Sequence, residues 1–203
     1  RYGTVTGVQT CALPICYGFE GKNGSGKTML MRTICGLIRP TSGVVKFDDK
    51  ILGKDYSFPP SIGVLIENPA FIPEYSAFKN LKVLASINSK VTDDEIKEVL
   101  EQVGLNPNDK KIYKKFSLGM KQKLGIANAV MGSPKVVLLD EPINAIDESG
   151  VENVRQIIAK LKENGSIIIV ACHDKEELEF LSDEIYTIFE GKIVGHRSLK
   201  ENE

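Results

Sequence analysis

The chain has 203 residues, 42% of them hydrophobic and 26% charged, with a formal net charge of −1. That is the make-up of one ordinary globular domain, or of one domain carrying an inserted lobe, and its balanced charge excludes a general nucleic-acid binder. No apolar run approaches the roughly 18 residues of a membrane-spanning helix. Cys11, Cys16, Cys35 and Cys172 form no close metal-ligand pairs and no disulfide framework, which fits a reducing cytosol, and the first residues lack the uninterrupted apolar core of a secretory signal.

Residues 5–15 resemble the translation of a sequencing-adapter oligonucleotide rather than protein, and the alternative is a genuine N-terminal strand and turn. On the first reading residues 1–16 are non-native, and the natural sequence is expected to resume near Cys16 or Tyr17. A short strand, Cys16 to Phe19, then leads into Gly21, Lys22, Asn23, Gly24, Ser25, Gly26, Lys27 and Thr28, which fit the pattern G-x-x-x-x-G-K-[ST]. Glycines let such a loop curl so that successive N–H groups point at a polyphosphate, while Lys27 reaches the β- and γ-phosphates and the Thr28 hydroxyl ligates Mg²⁺. Met29 to Leu37 continue as a helix, whose N-terminus favours the same anion. The alternative is a glycine-rich turn that matches by chance, against which the flanking strand and helix weigh. Glu20 stands where an apolar residue is expected and sets a charge beside the phosphates.

Further along, Ser42 to Phe47 and Ile62 to Ile66 read as strands. The pattern is helical from about Pro73 to Ser133. Thr92 and Glu95 form a capping box ahead of Ile96, Val99, Leu100 and Val103, with Gly104 as the stop. Another helix starts near Ser117 and ends at Gly132. Val136 to Leu139 is an apolar run of the kind buried inside a parallel sheet. Asp140 and Glu141 follow at the strand's carboxyl end, where open α/β sheets bind ligands; Asp140 can hold the Mg²⁺ shell and Glu141 can polarise an attacking water, against the plainer reading of loop acids or a helix cap. Val151, Val154, Ile158 and Leu161 mark an amphipathic helix, Ile167 to Ala171 a second buried strand, and Ile185 to Phe189 with Ile193 and Val194 a hairpin around Gly191. His173 stands just past the second buried strand. Strand–helix alternation interrupted by a helical block predicts an α/β core with a mostly parallel sheet and a helical insertion.

Six segments in this order resemble the ATP-binding-cassette (ABC) ATPases: Gly21–Thr28 (Walker A), Ile66–Pro69 (Q-loop region), Phe116–Met120 (signature), Leu138–Pro142 (Walker B), Asn144–Asp147 (D-loop) and Cys172–Asp174 (H-loop). Glu67 replaces the usual Q-loop glutamine, and Leu118 and Met120 replace a glycine and the glutamine of the signature. With both departures the chain looks like the ATPase subunits of bacitracin- and lantibiotic-type peptide exporters. The resemblance implies a P-loop core over 17–72 and 134–203 and a helical subdomain over 73–133. It implies ATP and Mg²⁺ as cofactors, with Glu67 joining Thr28 and Asp140 at the metal, and Glu141 and His173 as the catalytic pair. Ser117, Gly119 and Asp147 would complete a site on the facing subunit of a homodimer or paired ATPase. A separate transmembrane permease is the implied partner, with no nucleic acid, and the implied location is the cytoplasmic face of a membrane. The stretch Phe71 to Phe78 would receive the permease, or packs between core and helical lobe. The family also places two strands and an adenine-stacking aromatic ahead of the loop; Tyr2 resembles that aromatic but lies close to Gly21. A soluble ABC ATPase and an inactive, N-terminally truncated fragment are the rival readings.

Overall fold

The structure, a computed structural model, describes residues 14–199 apart from 48, 68 and 88–90. The adapter-like stretch up to residue 13, Tyr2, Cys11 and Asn68 of the Q-loop region therefore lie outside the described residues.

Six strands form one sheet in the order β4-β5-β6-β1-β7-β8. They are β1 (Ile15–Glu20), β4 (Ile62–Leu65), β5 (Val136–Asp140), β6 (Ile167–Ala171), β7 (Glu184–Phe189) and β8 (Lys192–Ser198). All neighbours are parallel except β7 and β8, which form the expected terminal hairpin. The two central runs are apolar throughout because both their faces are covered. Val136 and Leu138 of β5 and Ile169 and Ala171 of β6 face the helix α1 (Lys27–Ile34), while Val137, Leu139, Ile168 and Val170 face the other layer. That layer holds α2 (Ala77–Ala85), α3 (Asp93–Gln102), α4 (Leu118–Val130), α5 (Glu148–Glu163) and α6 (Lys175–Leu181). The α1 face is more thinly covered: a cavity of about 420 Å³ opens among Met29, Leu30, Ile38, Val44, Ile188 and Ile193.

Local chemistry sets the helix ends. Thr92 and Glu95 make the reciprocal capping box at 2.7 and 3.3 Å, satisfying two orphan N–H groups. Ser117 caps α4, its hydroxyl accepting from the Met120 N–H. Helix α1 ends three residues before Leu37, because Gly36 turns left-handed at φ 82° and sends the chain back to the Thr33 carbonyl. The expected Ser42–Phe47 strand shrinks to β2 (Lys46–Phe47), paired with β3 (Lys50–Ile51); Gly43 at φ 82° holds the preceding residues in a turn. Helix α6 was not foreseen, although Asp174 caps it by accepting from Glu177 N–H, the same spacing as a capping box.

The helices α2 to α4 lie in sequence between β4 and β5. Phe71 and Phe78 pack on the core, Phe71 edge-on to Tyr113 at 5.3 Å between ring centres, while Ile72 stays exposed. Buried Asn80 clasps this segment by accepting from Ile72 N–H and donating to the Ile72, Tyr75 and Ser76 carbonyls. Gly63 of β4 is required by close approach: a Cβ there would overlap the Ala129 carbonyl of α4. Gly63→Ala should therefore destabilise the protein by about 3 kcal/mol or more, at the upper end of overpacking costs, read as a lowered urea midpoint with an unchanged m-value.

Candidate functional site

The loop from Gly21 to Gly26 leaves β1 at the carboxyl edge of the sheet and enters α1 through Gly26, at φ 111°. Gly21 has no room for a side chain, since a Cβ would meet Ser25 Oγ and the Ile188 carbonyl, each at 2.5 Å. Lys27 is buried and its Nζ folds back onto the carbonyls of Gly21 at 2.6 Å and Lys22 at 3.4 Å. Among the described residues the buried Ser25 hydroxyl finds no hydrogen-bond partner. A buried donor left without an acceptor is costly, so the loop is built around an acceptor-rich guest.

In the first turn of α1, the Thr28 hydroxyl donates to Asp140 Oδ2 at 2.7 Å. Burial raises the Asp140 carboxyl above the ordinary carboxylate range; the Thr28 hydrogen bond and the Lys27 charge oppose that, while the Glu141 and Glu67 charges reinforce it. A half-desolvated carboxylate among other acids, next to a hydroxyl, is a hard-oxygen donor set that fits Mg²⁺. Thr28, Asp140, Glu67 and Glu141 all line one cleft of about 390 Å³, together with Asn23 to Met29, Gln122 and Asn144.

Glu141 follows Asp140 with φ 50°, a left-handed backbone that turns it off the strand, and its N–H donates to the Ala171 carbonyl of β6. Glu141 Oε2 lies 2.7 Å from His173 Nδ1. An ionised carboxylate can only accept, which puts the imidazole proton on Nδ1 and leaves Nε2 available on a ring that is 63% exposed. Cys172 Sγ is also near, within 4.8 Å of these groups. Burial pushes that thiol up to about 11, as it pushes Cys16 up to about 12, so neither offers a thiolate at neutral pH.

The remaining expected residues stand apart from this cleft. Exposed Ser117 caps α4, Gly119 lies against the Ala145 carbonyl, and neither lines the cleft. Asp147 occupies the N-cap position of α5 but makes no side-chain capping hydrogen bond, pairing instead with Lys123 and Ser149 at 2.8 Å each; hydrogen bonds from Lys123 and then Ser149 hold its carboxyl down at about 2. Glu20, unexplained by the sequence, is met by Lys175 at 2.9 Å, Thr187 at 3.3 Å and Arg197 at 3.5 Å, and the Lys175 hydrogen bond is the largest influence lowering its carboxyl. Its charge is thus spoken for. Gln122 was missed: its buried amide donates to the carbonyls of Glu141 at 2.8 Å and Pro142 at 3.3 Å. A glutamine among Leu124, Gly125 and Ile126, on the buried face of a helix, was the available signal.

A family described as "ABC transporter" matches residues 15–144. The chain belongs to that family. An uncharacterized ABC transporter ATP-binding protein of Bacillus subtilis is 47% identical over 87% of the chain and 81% of the relative. A bacitracin transport ATP-binding protein of Enterococcus faecalis is 35% identical over 99% of the chain and 67% of the relative. A lantibiotic transport ATP-binding protein of Streptococcus pyogenes is 40% identical over 88% and 76% respectively. The solved dimeric structure of a bacterial ABC transporter cassette superposes with a TM-score of 0.85, covering 94% of this chain and 88% of that one at 24% identity. The α/β fold of an ABC ATPase and the resemblance to bacitracin and lantibiotic exporters both stand.

The raised Asp140 carboxyl has a stability consequence in this ABC protein. A folded pKa above the unfolded value means that the ionised group costs stability above the unfolded pKa and that the cost fades as pH falls. Asp140→Asn should raise the melting temperature of nucleotide-free protein at pH 7, because the neutral amide escapes the desolvation cost of the ionised carboxylate. The gain over wild type should shrink toward pH 4; an unchanged or lower melting temperature at pH 7 contradicts it.

Proposed function

We propose that this chain is the ATP-binding and hydrolysing subunit of an ABC transporter, energising export of a peptide or small amphiphile through a separate membrane subunit. The observation that carries the reading is one cleft at the carboxyl edge of a parallel sheet. There the glycine loop, the Thr28–Asp140 pair and the Glu141 carboxylate held by His173 converge. The bacitracin and lantibiotic names of the relatives support the cargo class. No helix among the described residues is long and apolar enough to cross a membrane, in keeping with a subunit that attaches to a membrane partner from the cytoplasmic side.

Residues 17–72 and 134–203 form the catalytic core on this reading, and 73–133 a helical subdomain that presents the signature. Lys27 exchanges the Gly21 and Lys22 carbonyls for β/γ-phosphate oxygens, and the amides of residues 21–28 complete the cradle. Thr28, Asp140 and Glu67 would hold Mg²⁺, whose chemistry there would be to neutralise the polyphosphate charge. Glu141 takes a proton from the attacking water while His173 fixes the carboxylate by its Nδ1–H, and the work is mostly positioning and charge stabilisation. Ser117 and Gly119, exposed or turned away from their own cleft, serve the nucleotide of a second cassette, with Asp147 ordering that interface. The exposed Ile72 end of the segment after Glu67 is the proposed contact with the membrane subunit.

Glu141→Gln keeps the size and the His173 contact but loses the base. Its hydrolysis rate should fall by about 10²-fold or more with ATP affinity retained, and near-normal turnover would remove Glu141 from the chemistry. The two-chain site has a complementation test. Ser117→Ala and Lys27→Ala are each inactive alone, yet a mixed dimer holds one intact site. Equal mixing should recover about a quarter of wild-type hydrolysis if dimers form at random with twofold symmetry, whereas no recovery places Ser117 in its own chain's site.

A further inference from the structure

Arg32 lies one helical turn beyond Thr28, so the two side chains share the face of α1 that looks toward β5 and the loop after β4. Its guanidinium Nη2 meets Glu67 Oε1 at 2.5 Å. Glu67 lines the phosphate cleft and holds a left-handed backbone at φ 57°, uncommon for a residue with a Cβ. The carboxylate is therefore presented by a strained turn and restrained by one cation. Glu67 is 60% exposed and Arg32 32%, so the pair is solvent-screened and weak enough to exchange partners.

We propose that Arg32 is a positioning residue for the acidic loop: it holds and neutralises Glu67 while no metal is bound, and releases the carboxylate when a divalent cation arrives with the nucleotide. The inference rests on the reading of Glu67 as a metal-facing group. An unrestrained carboxylate beside Asp140 and Glu141 would repel the γ-phosphate of metal-free ATP, whereas the Arg32-bound carboxylate presents no net charge. Arg32 thus makes an acid tolerable at this place in the cleft and sets how strongly nucleotide affinity depends on metal.

The test is the ratio of ATP dissociation constants in EDTA and in Mg²⁺, measured by titration calorimetry on the full chain. General damage to the loop cancels in the ratio, and the EDTA arm reads the latch without metal. Arg32→Gln should raise the ratio by about two- to fivefold, the range expected of an exposed ion pair, chiefly by weakening binding in EDTA. Arg32→Lys should keep it near the wild-type value. Glu67→Gln should lower it, and adding Arg32→Gln to Glu67→Gln should change it no further. If Glu67→Gln shifts the ratio while Arg32→Gln does not, the latch is wrong and the reading of Glu67 survives. If neither shifts it, Glu67 does not face the metal and the proposal falls with that reading. An equal effect of Arg32→Gln in both backgrounds would mean that Arg32 attracts phosphate directly, which also overturns the latch.

Discussion

A carboxylate taken out of water at the end of a buried strand must find a donor or a cation, and in this chain the hydrogen bond from Thr28 to Asp140 meets part of that demand. The constraint fixes more than a side chain. Asp140 ends β5, so the first turn of α1 must sit over that strand, and the glycine loop must close the short gap from β1 two strands away. The apolar alternation of β5 and β6, with helices on both faces, provides the burial that makes the acid costly. Core and site are consequences of the same sheet.

The loop, the buried strands and the strand-end acids were legible because each is specified locally. A glycine octet, an apolar run of fixed length and a capping box carry their geometry within a few residues. What escaped the sequence was settled by distant partners. Glu20 looked like an unbalanced charge until Lys175, Thr187 and Arg197 closed around it from more than 150 residues away. Arg32 and Gln122 are ordinary helix residues in sequence and acquire meaning only from the loops they reach. The short β2–β3 ladder was overestimated because β-branched and turn residues read alike until Gly43 bends the chain.

Of the six described residues other than glycine with left-handed backbone, Glu67 and Glu141 line the cleft and Ala145 follows cleft-lining Asn144. Each is tethered, by Arg32, by the Ala171 carbonyl and Gln122, and by close packing of Gly119 against Ala145. Strained residues persist where surroundings over-determine them, and here the tethers come from α1, β6 and α4.

The Gln122 amide leaves little slack between α4 and the peptide links after Asp140. One buried side chain grips two successive carbonyls, so tilting the rod that begins at Ser117 drags the backbone beneath Glu141 instead of sliding past it. A push on the exposed tip of that rod would be carried through the Gln122 amide to the backbone under Glu141, some two dozen residues downstream. On the proposed function, occupancy by a neighbour and readiness for hydrolysis would then be one event, with the amide as the drawbar between them.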